Sequence, residues 1–362
     1  MDSPDTKITF EDIGIVKAPK LADTHLGKRR VLKEINKKEI VFSIGACLSL
    51  LAAFILSIIK IVELGNSNET KDADFTFALI IIVNTIFCVY YVLNGILAER
   101  PYEIMVFVIA TTIVWIYIIV NYALRPGDIK LIRLVIASVL SPMLIVLGAV
   151  LAKLYNDSGK LIFRTVGANV DQQYMCKTMF AFFGLLKFDL QLGLTMVILI
   201  LTNGSQIDTK DIVILTVGSF VTVVCFLIGY LCVRWENKPM AFVFAMSLLL
   251  QPAYVLYKII QSADDINTGH PSLAATTFTC AALSLVIRIA VAVYGVRAYL
   301  NFGYGLAEKV FPLSEHRVVT DGSKIEAPAK RAVHYIEEAE EDYRHQTTDQ
   351  TKHLQERRVD IQ

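Results

Sequence analysis

Residues 213–229 read VILTVGSFVTVVCFLIG, a stretch with no charged side chain and almost no polar face. A helix of roughly 20 mostly apolar residues spans a bilayer core about 30 Å thick, whereas a helix on a soluble protein keeps a polar face. Seven further stretches have the same character. We predict spans at residues 41–64, 74–97, 103–122, 131–151, 179–201, 212–233, 240–260 and 273–300. The predicted fold class is therefore an all-α, polytopic transmembrane helical bundle.

The spans divide the chain into three predicted regions. Residues 1–40 form a polar N-terminal segment, residues 41–300 the eight-span transmembrane domain, and residues 301–362 a polar, partly helical tail. The first apolar run starts too late and is too long for a cleaved signal peptide. We therefore expect the first span to act as an uncleaved anchor, and the first 40 residues to be largely disordered.

Positive charge is concentrated just before the first span. The residues are Lys28, Arg29, Arg30, Lys33, Lys37 and Lys38. Because lysine and arginine near span ends stay on the cytoplasmic side, this cluster predicts a cytoplasmic N-terminus, and eight spans then predict a cytoplasmic C-terminus. A seven-span alternative would put the C-terminus outside. The same cluster is a candidate contact for anionic lipids of the inner leaflet.

Two glycosylation sequons agree with this orientation. Asn68 and Asn203 begin Asn-X-Ser/Thr triplets in predicted outer loops, so the chain is a candidate glycoprotein. None of the six cysteines falls in an outer loop, so we expect no disulfide framework. These features are typical of an integral protein of the plasma membrane or of a secretory-pathway endomembrane.

Three ionisable residues inside the predicted spans are the strongest site candidates: Lys187 and Asp189 in span five, and Arg288 in span eight. A charged side chain in a span costs about 2.5–3.5 kcal/mol or more and usually faces the bundle or water. Asp189 and Arg288 lie at similar predicted depths, so we expect an ion pair, with Gln191 as a further polar partner that water reaches. Lys187 is close enough to the inner surface for its amine to snorkel there. The pair would be either a gate, proton relay or anion site, or a structural lock on helix register.

Small residues recur at steps of three and four in three spans, which places them on one helix face. Small side chains let helix backbones approach closely in lipid, so these faces are predicted to point inward. The stripes are Gly45, Ser49, Ala52 or Ala53, Ser57 and Lys60; Gly218, Thr222, Cys225, Gly229 and Cys232; and Thr277, Ala281, Ser284, Arg288, Val291 and Gly295.

Sequence motifs give no indication of catalysis. HExxH, GxSxG, Walker A and dinucleotide-binding motifs do not occur, and none of the six histidines falls in a span core. A metal site normally needs clustered His, Asp or Glu ligands. We therefore expect no enzyme activity, no metal, no cofactor and no nucleic-acid partner.

Two segments outside the spans are candidates for other contacts. The loop 153–178 is predicted to contain a short amphipathic helix on the membrane surface. Its apolar residues are Leu161, Ile162, Phe163, Val166 and Val170. Residues 329–350 predict a polar, acidic helix in the tail, which is either solvated or the docking site of a cytoplasmic protein partner.

Two stretches carry a family resemblance. They are FFGLLKFDLQ at residues 182–191 and YGVRAYLNFG at residues 294–303, which continues as YGL. Together they resemble a family of uncharacterised eukaryotic multipass membrane proteins defined only as a domain of unknown function. The resemblance implies a similar helical bundle and no specific activity. It also implies that Asp189 and the cytoplasmic exit of span eight are structurally paired.

The leading functional hypothesis is a transporter or channel for a small solute or ion that uses the bundle interior near Asp189 and Arg288. The competing hypothesis is a membrane scaffold or receptor-like protein that binds partners through its cytoplasmic tail. A hydrated central cavity would favour the first hypothesis, and a dry core with every charge paired would favour the second. No internal repeat is evident, so an inverted-repeat transporter lacks its usual sequence signature.

Overall fold

A computed structural model of the chain describes residues 21–24, 27–31, 34–66, 73–124, 127–199, 209–249, 252–256, 259–260 and 271–311. The sequons at Asn68 and Asn203, Lys33 and the tail from residue 312 onward lie outside these residues. The predictions made for them therefore stay predictions.

The described residues contain eight helices that are long and apolar enough to span a membrane, as predicted. With two shorter helices included, the helical elements are α1 (Lys37–Asn66), α2 (Ala73–Leu97), α3 (Pro101–Leu124), α4 (Asp128–Ser158), α5 (Lys160–Val166), α6 (Val170–Ile198), α7 (Thr209–Arg234), α8 (Lys238–Ser247), α9 (Pro271–Leu300) and α10 (Leu306–Val310). The span that begins with α8 continues to Leu256. The two short helices, α5 and α10, are not spans.

The helix α6 begins earlier than the apolar pattern predicts. Its first residue is Val170 rather than residue 179. The side chain of Asn169 accepts a hydrogen bond from the backbone N–H of Gln172 at 3.1 Å, which satisfies one of the free donors at a helix start. This cap starts the helix in polar sequence, before the apolar run begins.

The helix α6 is also the centre of the bundle. In its most apolar window 83% of the residues are buried, against 50% or less in every other described span. It packs against α2, α3, α5, α7 and α9. Elsewhere α1 packs on α2 and α4, and α3 packs on α4. The group α1–α4 is therefore joined to α7 and α9 mainly through α6.

Two very short turns join neighbouring spans, α2 to α3 and α7 to α8. Spans alternate in direction, so both turns lie at the end of the bundle where α1 starts, which we name the turn end. The middle residue of each turn is a glutamate with positive φ, 41° at Glu99 and 50° at Glu236. A positive φ is uncommon outside glycine, and both glutamates are held by contacts. Glu99 pairs with Arg30, and Glu236 accepts hydrogen bonds from the backbone N–H groups of Gly303 and Ala307.

The N-terminal segment contains ordered structure, which differs from the expectation of disorder. β1 (Ala22–Thr24) and β2 (Gly27–Arg29) form an antiparallel pair. The backbone N–H of Arg30 then donates a hydrogen bond to the carbonyl of Leu97 at 2.9 Å. This hydrogen bond ties the hairpin to the end of α2.

The helix predicted in the loop 153–178 is α5. Leu161, Ile162 and Val166 are buried, and α5 packs on α6. Phe163 is exposed. The apolar face of α5 thus lies mainly against the bundle rather than on a membrane surface, because α6 and α10 offer it a protein surface.

The small-residue stripes of α7 and α9 face neighbouring helices, as predicted. A Cβ atom on Gly229 would lie 2.5 Å from the Phe244 ring, and one on Gly295 would lie 3.3 Å from the Phe182 ring. The stripe predicted on α1 is wrong at Gly45, which is exposed and has no atom within 4 Å of its Cβ position. A small residue therefore marks a contact only where a neighbouring helix is present.

Candidate intramembrane site

The predicted ion pair between α6 and α9 is present. Arg288 Nη2 lies 2.9 Å from Asp189 Oδ2, and the two residues are only 7% and 5% exposed. Arg288 belongs to the inward stripe of α9 with Thr277 and Ser284, which are also buried. Asp189 Oδ1 and Arg288 Nε have no hydrogen-bond partner among the described residues. The pair joins two spans and leaves one acceptor and one donor unused.

Lys187 does not reach the membrane surface, so the snorkelling prediction is wrong. Its Nζ lies 2.5 Å from Glu103 Oε1 and 5.0 Å from the centre of the Tyr90 ring. Both Lys187 and Glu103 are buried. A lysine snorkels when its side chain runs along lipid, but α6 is surrounded by other helices. The carboxylate at the third residue of α3 supplies the counter-charge instead.

Glu103 is the centre of a larger polar cluster. It accepts a hydrogen bond from Asn94 Nδ2 at 2.5 Å and lies 3.3 Å from Arg100 Nη1. Asn94 Oδ1 in turn accepts a hydrogen bond from Arg29 at 2.7 Å. The sequence did not single out Glu103, because a carboxylate in the first turn of a helix is an ordinary feature.

Arg30 forms a second cluster near the turn end. It lies 2.9 Å from Glu99 and 3.1 Å from Glu39, and it donates a hydrogen bond to Tyr155 Oη at 3.2 Å. Burial alone would lower the pKa of Arg30, but its interactions with Glu99, Tyr155 and Glu39 raise it above its ordinary value. The carboxylates of Glu99 and Glu39 therefore favour the charged form of Arg30.

The residues of the basic cluster that is predicted to contact lipid differ in their exposure. Arg30 is 7% exposed, so the prediction is wrong for this residue. Arg29 is half-buried beside Asn94. Lys37 and Lys38 are exposed, and a lipid contact for them stays a prediction.

Gln191 is buried, but its partner is not the ion pair. Its Nε2 donates a hydrogen bond to Asn84 Oδ1. Asn84 Nδ2 donates to the carbonyl of Ile80 at 2.8 Å and to Thr195 Oγ1 at 3.4 Å. Gln191 Oε1 has no partner among the described residues. Gln191 and Asp189 face different neighbours because positions two apart on a helix point in different directions.

Gln191 lines a cavity of about 210 Å³ between α2, α3, α6 and α9, which we name the junction cavity. Asn84 and Thr195 lie in the same wall, and none of the described lining residues is charged. Ile116 and Val120 also line it and are 53% and 43% exposed. The cavity therefore opens toward the outer surface of the bundle, and clefts between packed helices are common sites for small molecules.

A smaller cavity of about 70 Å³ lies within α1–α4. Arg133 lines it together with Ser49, Thr111 and Ser141, and Arg133 is buried. Arg133 is not among the site residues predicted from the sequence, although an arginine at the sixth residue of α4, inside the predicted fourth span, is itself a signal of a polar interior.

Comparison with known proteins gives a family and no activity. A family model described as a domain of unknown function (DUF7789) matches residues 26–153 and 166–297. These residues are more than half of the chain and include most of the described bundle. No curated protein and no solved structure matches the chain significantly.

Proposed function

The chain belongs to the DUF7789 family, a domain of unknown function, and we propose that it binds and carries a small, uncharged, lipid-like solute within the membrane. The observation that supports this proposal most is the junction cavity. Gln191 lines this cavity, and its buried Oε1 has no hydrogen-bond partner among the described residues.

Gln191 Oε1 favours a ligand that donates a hydrogen bond. Leaving a buried acceptor without a partner costs about 1–3 kcal/mol, and a hydroxyl or N–H group placed at this oxygen would recover part of that cost. The neighbouring amide of Asn84 is already engaged, since its oxygen accepts from Gln191 and its nitrogen donates to Ile80 and Thr195. Of these two amides, the group left without a described partner is therefore a hydrogen-bond acceptor, Gln191 Oε1.

The rest of the junction cavity favours an apolar, uncharged ligand body. Its described lining consists mostly of aliphatic and aromatic side chains and contains no charge. A charged ligand would need a counter-charge in such surroundings. The exposed Ile116 and Val120 leave an entrance from the lipid side. An amphipathic alcohol or amide that partitions into the bilayer has the required chemistry.

The two buried ion pairs have a different role in this proposal. Asp189 with Arg288, and Glu103 with Lys187, are paired and buried, so they hold α6 against α9 and α3. Neither pair lines the junction cavity. The proposed solute site thus lies beside the ion pair rather than on it, unlike the hypothesis drawn from the sequence.

These paired charges are also the observation that favours a second candidate, a membrane scaffold without transport. A bundle whose central charges satisfy one another is stable without a solute. In this alternative the junction cavity holds only bulk lipid, and partners bind elsewhere on the chain.

The native cysteines allow a direct test of access to the junction cavity. Cys280 lines this cavity, whereas Cys176 is fully buried and lines neither cavity described above. Two variants, each keeping one of these cysteines and replacing the other five, would be reconstituted in liposomes and treated with N-ethylmaleimide. We expect Cys280 to react faster. Equal rates for the two cysteines would contradict an open cavity and favour the scaffold.

A cavity-filling variant tests the ligand. Ala110 lines the junction cavity and is 2% exposed, so Ala110→Leu places three more carbon atoms in it. The probe is a diazirine-bearing fatty alcohol, and its methyl ether is the matched control without a donor. We expect photolabelling by the alcohol to exceed labelling by the ether in the native chain, and Ala110→Leu to remove the difference. Equal labelling by both probes would contradict the role of Gln191.

A further inference from the structure

The two sets of helices α1–α4 and α6–α9 have the same order, and three of the four corresponding pairs have similar lengths. In the remaining pair α3 has 24 residues and the span that begins with α8 has 19. The helices α1, α2 and α4 have 30, 25 and 31 residues, and α6, α7 and α9 have 29, 26 and 30. Each set is followed by a short helix, α5 or α10, whose N-cap is a glycine with positive φ, Gly159 or Gly305. The two segments that the family model matches are nearly equal in length, and each corresponds to one set.

The short turn in the middle of each set has an unusual conformation in common. Glu99 and Glu236 are the non-glycine residues with positive φ in the described part of the chain. Each occupies the middle of a three-residue turn, and a proline follows at the start of the next helix, Pro101 or Pro239. Membrane-spanning helices do not need a turn with a positive-φ glutamate before a proline, so its occurrence in both sets is not explained by crossing the membrane. It indicates that the chain contains two copies of one four-helix unit, a repeat that the sequence did not reveal.

A repeated unit defines equivalent positions. When the first residues of α1 and α6 are aligned, Ile58 corresponds to Gln191. When the last residues of α2 and α7 are aligned, Val221 corresponds to Asn84. Asn84 and Gln191 are hydrogen-bonded to each other where the first unit meets the second. Their equivalents, Val221 on α7 and Ile58 on α1, are both exposed.

Equivalent faces differ in what covers them. The face of α6 that meets the first unit is buried, and the corresponding face of α1 is open. The α6 residues are Gly184, Phe188, Gln191 and Thr195, all buried, and the corresponding α1 residues Leu51, Ile55, Ile58 and Val62 are 53%, 47%, 41% and 56% exposed.

The same difference holds between α2 and α7. Ile80 of α2 is buried and lines the junction cavity, whereas its equivalent Val217 is 55% exposed. The helix pairs that pack extensively among the described residues include none that joins α7 or α8 to α1 or α4. One chain therefore uses one junction between units and leaves both halves of a second junction open.

We propose that two molecules of this chain associate head to tail, with the open face of α7 in one molecule packed on the open face of α1 in the other. The contact would repeat the packing of α2 on α6 within the chain. Each molecule offers one face of each kind, so the contact is heterologous; in a closed dimer it would form twice and give a ring of four units. Apolar faces alone are equally compatible with lipid, but only a second copy matches the surface that already packs on the equivalent face.

Cysteine cross-linking tests the proposed contact in the full chain with its six native cysteines replaced. The positive control is Asn84→Cys with Gln191→Cys in one chain, because these side chains touch. The test pair is Ile58→Cys and Val221→Cys on two differently tagged chains expressed together. We expect the test pair to cross-link between chains in the membrane, as the positive control does within one.

A matched negative control is Val223→Cys paired with Ile58→Cys. Val223 is 39% exposed at nearly the same depth as Val221, but its equivalent Ile86 is 59% exposed and faces no unit. Single-molecule photobleaching at low density in liposomes should also count two copies. A missing Ile58–Val221 cross-link while the positive control forms, equal cross-linking by Val223, or a count of one copy would overturn the proposal and leave lipid on both faces.

Discussion

Replacing Glu103 by glutamine should destabilise the bundle by about 3–5 kcal/mol, the usual cost of breaking a buried ion pair by removing one partner. Glu103 is 1% exposed and lies 2.5 Å from Lys187 and 3.3 Å from Arg100. The substitution therefore leaves two cations in a buried region. Glutamine has nearly the same shape and keeps an oxygen that can accept the hydrogen bond from Asn94, so the loss reports charge rather than volume.

A loss of this size corresponds to an increase in the unfolding equilibrium constant of about a hundredfold to a few thousandfold, since 1.4 kcal/mol is a factor of ten. It can be measured by reversible unfolding in mixed micelles with increasing SDS, followed by circular dichroism. Adding Lys187→Met should recover part of the loss, because the buried Lys187 cation that Glu103 had compensated is then removed. This coupling between the two sites is the signature of a direct pair.

An exposed pair on α1 provides the matched control. Lys60 and Glu63 lie 3.2 Å apart, but half of the Glu63 side chain is exposed, so Glu63→Gln should change the free energy of unfolding by less than about 1 kcal/mol. If Glu103→Gln costs no more than this control, or if the Glu103 and Lys187 substitutions are simply additive, the buried pair does not hold α6 against α3.

Two further substitutions test packing and the second ion pair. Gly229→Ala should destabilise the folded bundle by about 1–3 kcal/mol, because its Cβ atom would lie 2.5 Å from the Phe244 ring. The control Gly45→Ala should not change the stability, since no atom lies within 4 Å of its Cβ position. Equal melting temperatures of the two variants in detergent would refute the contact. Asp189→Leu should lower the free energy of unfolding by about 3–5 kcal/mol, and adding Arg288→Met should restore most of that stability. If the double variant loses as much stability as the two single variants together, the side chains are not coupled.

The sequence was sufficient for the spans and for the pair of Asp189 and Arg288. An apolar run of span length depends only on the residues inside it, so its recognition needs no knowledge of neighbouring helices. Asp189 and Arg288 could be paired because both lie at a similar depth, and because the small-residue stripe fixes the direction in which Arg288 points.

The sequence was not sufficient for contacts that depend on which helices are neighbours. The sequence predicts a position at the membrane surface for Lys187, because nothing in span five identifies α3, and hence Glu103, as its neighbour. For the same reason the sequence predicts that Gln191 is a partner of Asp189, although Asn84 on α2 is its partner. Gly45 was placed inside by its spacing alone. Helix order in space follows from side-chain packing across the whole bundle, which a one-dimensional pattern does not contain.

The central position of α6 bears on how the chain is made. This helix carries Lys187 and Asp189 and has the lowest mean hydropathy of the described spans, so lipid alone is a poor environment for it. Glu103 is already synthesised when Lys187 emerges from the ribosome. Arg288 follows Asp189 by about a hundred residues, which takes on the order of 5–20 seconds of translation. During that interval α6 has to wait in the insertion machinery or sit in the bilayer with its carboxylate uncompensated. Chains that stop before α9 should therefore be recognised and degraded, and assembly of the second unit should be the slow step in biogenesis.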